Sequence, residues 1–331
     1  MNALLFAVAF FVVAVLVYMA RYSGRVHVVQ TRVIDAPVAE TYAHVVDLRC
    51  WPGWSPWLEP GQGTHHSTGV DAPGSSYRWT AGGAEMGTVE HLRMRGPGRI
   101  EQRLRLAQPF PLRGISSWQV AECDGRTHVT WTLRGRVAFS MRAFAATVQA
   151  ALALDFRYGL DRLAGLVEGE EAPRYAVRYE GIREVPAIRY AYIEHAGRIG
   201  EQARAMRSAA GDLRAALARQ GVLAPGRPMA LYLKTSIKQR RTTCRFCIPI
   251  GDAAVDGVAV ASLPHHRAFV TSLRGSREQL EIAWYLAMQQ LSVLALQPEL
   301  RITPSELYLD DLEEKPGIQE RTELLIPVRS I

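Results

Sequence analysis

Two stretches set against each other decide the fold of the C-terminal half: Pro186–Gly197, PAIRYAYIEHAG, and Pro264–Gly275, PHHRAFVTSLRG. Each opens on a proline and closes on a glycine eleven residues later. Between those marks the β-branched and aromatic content predicts a strand. A helix follows each glycine. In the first copy Ile199, Ala203, Met206, Ala210, Leu213 and Leu217 share a face. In the second, Leu280, Trp284, Ala287, Leu291 and Leu294 do so at the same three-and-four rhythm. Leu231-Tyr232-Leu233 then answers Leu307-Tyr308-Leu309, so the offset between copies is 78 residues at the start and 76 at the end. Repetition at that length predicts a duplicated strand–helix–strand unit with pseudo-twofold symmetry and a groove where the copies meet.

The copies differ at one chemically telling place. Glu306 in the second stands where the first has Ala230. A carboxylate beside the strand-borne Tyr308, near Trp284 and the matching Tyr232, can meet a cationic or polar group on an aromatic guest. Buried, it would carry a raised pKa and could act as an acid or base. At an exposed strand end it would do neither. No residue is assigned a catalytic role.

Working toward the N-terminus, Glu168-Gly169-Glu170-Glu171-Ala172-Pro173 is charged and turn-rich, and marks a boundary between domains at 25–170 and 174–331. The first of these begins with the β-branched run Val26–Ile34. Pro37 then opens a short helix carrying Val38, Tyr42, Val45 and Val46. Trp51-Pro52-Gly53-Trp54-Ser55-Pro56-Trp57 follows, and then several short strands as far as Arg136. A long amphipathic helix closes the domain, with Met141, Phe144, Val148, Leu152, Phe156, Leu160, Leu163 and Val167 on one stripe. That order describes a curved sheet gripping a helix. Trp54, Trp57, Trp79 and Trp118 either line a ligand cavity between the two or fill the core there. His65-His66 falls in a Gly/Ser/Thr-rich stretch that reads as a loop.

Residues Ala3–Ala20, ALLFAVAFFVVAVLVYMA, contain no charged side chain. Eighteen helical residues rise roughly 27 Å, about the hydrocarbon thickness of a bilayer. The run predicts a transmembrane anchor over 1–24 rather than a cleaved signal, because Lys and Arg are missing before it. Arg21, Arg25 and Arg32 flank its C-terminal side, which points the body to the cytoplasm at the inner membrane.

The net charge of +7 comes mostly from arginines scattered among acids, and the longest basic cluster, Lys238-Gln239-Arg240-Arg241, reads as a hairpin tip. A nucleic-acid partner is not expected. Cys244 and Cys247 form a C-x-x-C inside the strand-like TTCRFCIPI, where residues three apart point to opposite faces. No second pair completes a tetrahedral site, so neither a metal nor another cofactor is expected.

Two family resemblances follow from these residues. The first domain resembles the SRPBCC superfamily, also called START-like or polyketide cyclase/dehydrase and lipid-transport domains. Ile34-Asp35-Ala36-Pro37, Val46-Asp47, Trp51–Trp57, Gly74–Trp79, Val129-Thr130-Trp131 and Asp155–Leu160 carry the likeness. It implies a helix-grip fold with a tunnel for a hydrophobic ligand. The second half resembles the GyrI-like bacterial effector-binding domain through Val185-Pro186-Ala187, Glu194–Gly197, Leu273-Arg274-Gly275, Trp284, Ser305–Leu309 and Leu324–Val328. It implies that Glu306, in Pro304-Ser305-Glu306-Leu307-Tyr308, is the acidic residue of a pocket for drug-like molecules. Some relatives use such a pocket to hydrolyse reactive alkylating compounds. The DNA-binding helix-turn-helix that often precedes this domain has no counterpart, since the closing helix of the first domain occupies that place.

The whole chain is therefore expected to be α+β: an anchor, a helix-grip domain, and a duplicated effector-binding domain. The expected function is binding of a small hydrophobic or cationic aromatic ligand at the membrane. The alternatives are a hydrolase acting through Glu306 and a regulator that binds a protein partner in the groove.

Overall fold

A computed structural model describes residues 2–57, 63–81, 83–96, 98–169, 175–199, 201–222, 226–236, 239–310 and 320–329; within helices, the side chains at 2–5, 7–9, 12, 202–204 and 207 lie outside that description. The chain divides into two compact units, Met1–Glu171 and Ala172–Ile331. Each contains one antiparallel sheet with helices against it, so the architecture is α+β.

The first unit begins with helix α1 (Asn2–Ala20), whose side chains Phe6, Phe10, Phe11 and Leu16 are exposed. Among the described residues no helix is long and apolar enough to cross a membrane. Strand β1 (Arg25–Ile34) and the short helices α2 (Val38–Val46) and α3 (Trp51–Trp54) come next. Six strands then follow in a meander: β2 (Thr64–Thr68), β3 (Ser76–Ala81), β4 (Ala84–Arg95), β5 (Arg99–Leu106), β6 (Leu112–Cys123) and β7 (Arg126–Val137). Only β1 leaves sequence order, pairing with β7 to give β1-β7-β6-β5-β4-β3-β2.

Strict alternation sends Val26 and Val28, or Leu104 and Leu106, inward and their neighbours outward. Helix α4 (Ala145–Val167) covers the inner face with Val148, Leu152, Phe156, Leu160, Leu163 and Val167. Gly159 makes the close approach possible: a Cβ there would lie 3.0 Å from Pro56 and 3.2 Å from the Trp131 ring.

Two expectations need correction here. The closing helix does not start at Met141. Residues Phe139–Phe144 form a 3₁₀ turn, which rotates Phe144 off the buried stripe and leaves it exposed. His65 and His66 are not in a loop but on edge strand β2, where the His65 ring bonds to the Tyr77 hydroxyl.

The second unit is a pair of ββαββ repeats. The first contains β8 (Ala176–Val185), β9 (Ile188–Arg198), α5 (Gln202–Ala218), β10 (Met229–Ser236) and β11 (Arg241–Pro249). The second contains β12 (Ala259–Leu263), β13 (His266–Arg274), α6 (Leu280–Val293), β14 (Ser305–Tyr308) and β15 (Arg321–Pro327). The sheet order, β12-β9-β11-β10-β14-β15-β13-β8, reads the same from either edge once repeat partners are matched. Each repeat's leading strand is exchanged: β8 pairs with β13, and β12 pairs with β9. The repeat unit is thus larger than strand–helix–strand, and the copies join through hydrogen-bonded strands β10 and β14.

Met206, Ala210, Leu213 and Leu217 of α5 are buried, as are Ala287 and Leu291 of α6. The Ala203 side chain lies outside the described residues, and Leu294, just past α6, is exposed. Cys244 and Cys247 sit on opposite faces of β11, in separate core clusters, and both are free thiols. Burial pushes the Cys244 thiol up to about 12. Gln239 and Arg240 occupy the β10–β11 turn, while Lys238 lies outside the described residues.

Candidate functional site

The chemistry of the second unit converges on the seam between the repeats. Strands β10 and β14 pair in a register that sets Ala230 directly opposite Glu306. Because strand side chains alternate, Ala230, Tyr232, Glu306 and Tyr308 point to the same face. Helix α5 packs on that face through Met206, Ala209 and Ala210, next to Phe246 and Cys244. The small Ala230 opposite leaves room for a carboxylate that is fully buried.

Three aromatic donors hold it. The Tyr232 hydroxyl donates to Glu306 Oε1 at 2.8 Å, the Trp284 indole N–H donates to the same oxygen at 2.6 Å, and the Tyr308 hydroxyl donates to Oε2. Tyr232 and Tyr308 are equivalent residues of the two repeats, so the pseudo-twofold delivers two phenols to one acid. Trp284 comes from α6, and its ring meets that of Tyr232 edge-on at 5.7 Å between centroids. Tyr308 is buried, whereas Tyr232 and Trp284 are half-buried and form the outer wall of the site.

Electrostatics set the protonation states. Burial raises the Glu306 pKa above the ordinary carboxylate value of 4.5, opposed by the bonds from Tyr308, Trp284 and Tyr232 and by the charge of Arg277. Burial, reinforced by the Glu306 charge, drives both phenols far up, so they stay protonated and serve as donors. The outcome is an acid whose charge is costly in its buried setting and would be relieved by a nearby cation.

Sequence reasoning missed Arg277. Its guanidinium lies 5.3 Å from the Tyr308 ring centroid and pairs with Glu320 at 3.1 Å, with both side chains nearly buried. It lies in the 3₁₀ turn Arg277–Gln279 just before α6, a position that no periodicity in the sequence marks.

The sign of the Glu306 shift gives a testable pH dependence. A folded-state pKa above the unfolded one means the contribution to stability is fully present below about pH 4.5 and is lost as pH rises through the folded value. Glu306→Gln has no such proton to lose. Urea unfolding from acid to neutral pH should show wild type losing stability relative to Glu306→Gln; parallel pH profiles would refute the raised pKa.

In the first unit, Trp54, Trp57, Trp79 and Trp118 do come together, joined by Trp51, Tyr77, Trp131 and Phe156. Trp57 stacks on Trp79 at 4.9 Å, Trp118 on Trp131 at 4.2 Å and Trp131 on Phe156 at 3.7 Å, while Trp54 meets Trp118 edge-on at 5.6 Å. Their polar edges are spent inside the fold. The Trp118 N–H donates to Gln102, the Gln102 amide to His91 Nδ1, and His91 Nε2–H to the Val46 carbonyl, a chain that holds the imidazole neutral. Among the described residues these rings fill the space between sheet and α4.

An open cavity of about 700 Å³ lies elsewhere in this unit, at the sheet end where β5, β6 and β7 meet, lined by Glu85, Arg105, Arg113, Arg136, Leu112 and Val137 among others. Among the described residues no cluster of His, Cys, Asp and Glu could hold a metal ion.

Residues 25–168 match the family of polyketide cyclase/dehydrase and lipid-transport proteins. No curated protein matches the chain. Among solved structures, a protein of Chromobacterium violaceum is 20% identical, with 43% of this chain and 96% of that one covered at a TM-score of 0.35. The EcmrR C-terminal domain is 16% identical, with 47% of this chain and 99% of that one covered at 0.37. EcmrR in a DNA complex is 15% identical, with 57% and 69% covered at 0.39.

Proposed function

We propose that this chain is a membrane-anchored small-molecule-binding protein that takes a cationic aromatic guest at Glu306. One observation carries the reading: a fully buried carboxylate, on the seam of a duplicated unit, whose bonds all come from aromatic donors. A guest cation would offset the desolvation that raises the Glu306 pKa, and the half-buried Tyr232 and Trp284 rings would stack on its apolar part. The match of 25–168 to a family described by polyketide cyclisation and lipid transport adds support for a small-molecule role, with a hydrophobic ligand for the first domain. The 19-residue helix α1, uncharged and bearing exposed apolar side chains, supports the anchor, and Arg21 and Arg25 after it support a cytoplasmic body.

Tetraphenylphosphonium and the uncharged, similarly shaped triphenylphosphine oxide separate charge from bulk. Glu306→Ala should weaken the cation about tenfold or more, equivalent to about 1.4 kcal/mol, while leaving the oxide unchanged. Calorimetric titrations in which both probes bind the variant as they bind wild type would remove Glu306 from the site.

A further inference from the structure

We infer that the outer face of the first unit's sheet is a docking surface for anionic phospholipid headgroups, built on an in-register row of arginines beside the end of α1. This rests on the anchor reading above. The register pairs Arg25 of β1 with Arg136 of β7, Arg136 with Arg113 of β6, and Arg113 with Arg105 of β5. All four side chains are exposed on the face opposite the core. Strands lie about 4.8 Å apart, so the row is about 14 Å long. Arg134, next on β7 along the same face, is exposed as well. No carboxylate pairs with Arg25, Arg105, Arg113, Arg134 or Arg136 among the described residues. The neighbouring acids are engaged: Glu85 with Arg78 at 3.4 Å and Glu90 with Arg103 at 2.6 Å. Like charges set directly opposite one another destabilise a sheet. The row therefore carries a repulsion that an anionic surface would relieve.

Its position selects the partner. Arg25 follows the end of α1 at Ala20 by only a few residues. The Val137 amide donates to the Gly24 carbonyl at 3.0 Å and the Ala138 amide to Pro111 at 2.9 Å, so the arginine ends of β1, β6 and β7 converge where α1 emerges. Phe139 and Phe144, exposed on the 3₁₀ turn that packs against α1, and Tyr18 and Tyr22 at the end of α1, supply aromatic side chains at the same level. Aromatic residues flanked by arginines are the composition of a membrane–water interface. Basic residues held there are attracted by an acidic leaflet within about a Debye length. The open cavity lined by Arg105, Arg113 and Arg136, with Glu85 on its wall held by Arg78, gives a headgroup somewhere to sit.

The test uses the full chain in lipid nanodiscs of phosphatidylcholine, with or without about 30% phosphatidylglycerol, read by hydrogen exchange. In anionic discs, the amides of Ala107, Gln108 and Phe110 and those of 139–144 should exchange about fivefold more slowly than in neutral discs at about 50 mM NaCl, with the difference gone at about 500 mM. The Arg25→Gln, Arg105→Gln, Arg113→Gln, Arg136→Gln variant should show no lipid dependence, whereas amides of the β6–β7 turn should be unchanged in every case. Equal exchange in both lipids for a wild-type chain that co-elutes with the discs would overturn the docking surface and leave the anchor intact. Failure to co-elute with neutral discs, with salt-sensitive binding to anionic ones, would overturn the anchor and keep the surface. Binding of duplex DNA in preference to anionic discs would assign the row to nucleic acid and sink the proposal.

Discussion

Trp131→Ala should cost the first unit about 3–5 kcal/mol, the range for emptying an aromatic site in a packed core. Trp131 is fully buried and meets five rings of the aromatic cluster: Phe156 at 3.7 Å, Trp118 at 4.2 Å, Trp57 at 5.6 Å, Trp54 at 5.9 Å and Trp51 at 6.4 Å between ring centroids. Its indole N–H also donates to Ser116 Oγ at 2.8 Å, so truncation leaves a buried hydroxyl without its partner. Set against a typical domain stability of about 5–15 kcal/mol, the loss brings the unit near its unfolding midpoint. Urea unfolding followed by far-ultraviolet circular dichroism should show a large fall in midpoint. Trp131→Phe, which keeps the stack on Phe156, should cost much less. A midpoint unmoved in Trp131→Ala would show that the rings are not the core of this unit.

Glu306→Ala should have the largest effect in the second unit, about 3 kcal/mol, because it strands three aromatic donors at once. Each buried donor left without an acceptor costs about 1–3 kcal/mol, with the lower end applying to the half-buried Tyr232 and Trp284. Removal of a desolvated charge works in the opposite direction, since burial already raises the Glu306 pKa. Three lost bonds outweigh that relief. Glu306→Gln keeps an acceptor oxygen and loses the charge, so it should fall well above Glu306→Ala and close to wild type at neutral pH. Chemical unfolding of both variants decides the matter: equal stability of Ala and wild type would mean that the aromatic donors find other partners, and that Glu306 organises nothing.

Much of this site was legible in the sequence. Glu306, Tyr232, Tyr308 and Trp284 are tied by the repeat: an offset of 76 residues makes the two tyrosines equivalent and exposes Ala230 as the odd partner of the acid. Internal symmetry supplies the long-range information that a single strand pattern lacks. The meander and the gripping helix were legible too, from alternation in β5–β7 and the three-and-four stripe of α4.

What stayed hidden depends on register and rotation. Whether Trp54 or Trp118 surrounds a space or fills it is decided by ring orientations, which spacing does not encode. Phe144 continues the apolar stripe in sequence yet faces outward, because one 3₁₀ turn shifts the phase. The arginine row is invisible along the chain. Arg25, Arg105, Arg113 and Arg136 are far apart in sequence and align only when the sheet order is known.

The traded leading strands of the second unit have a mechanical consequence. With β8 hydrogen-bonded to β13 and β12 to β9, each half is latched to the other along both rims as well as through β10 and β14. Prising the halves apart would tear ladder bonds at three places together, so this module cannot open like a clam. Under the proposed function, a guest that approaches Glu306 would meet the half-buried Tyr232 and Trp284 rings. Turning those two rings would be rotamer motion, which is faster than a swing of the backbone.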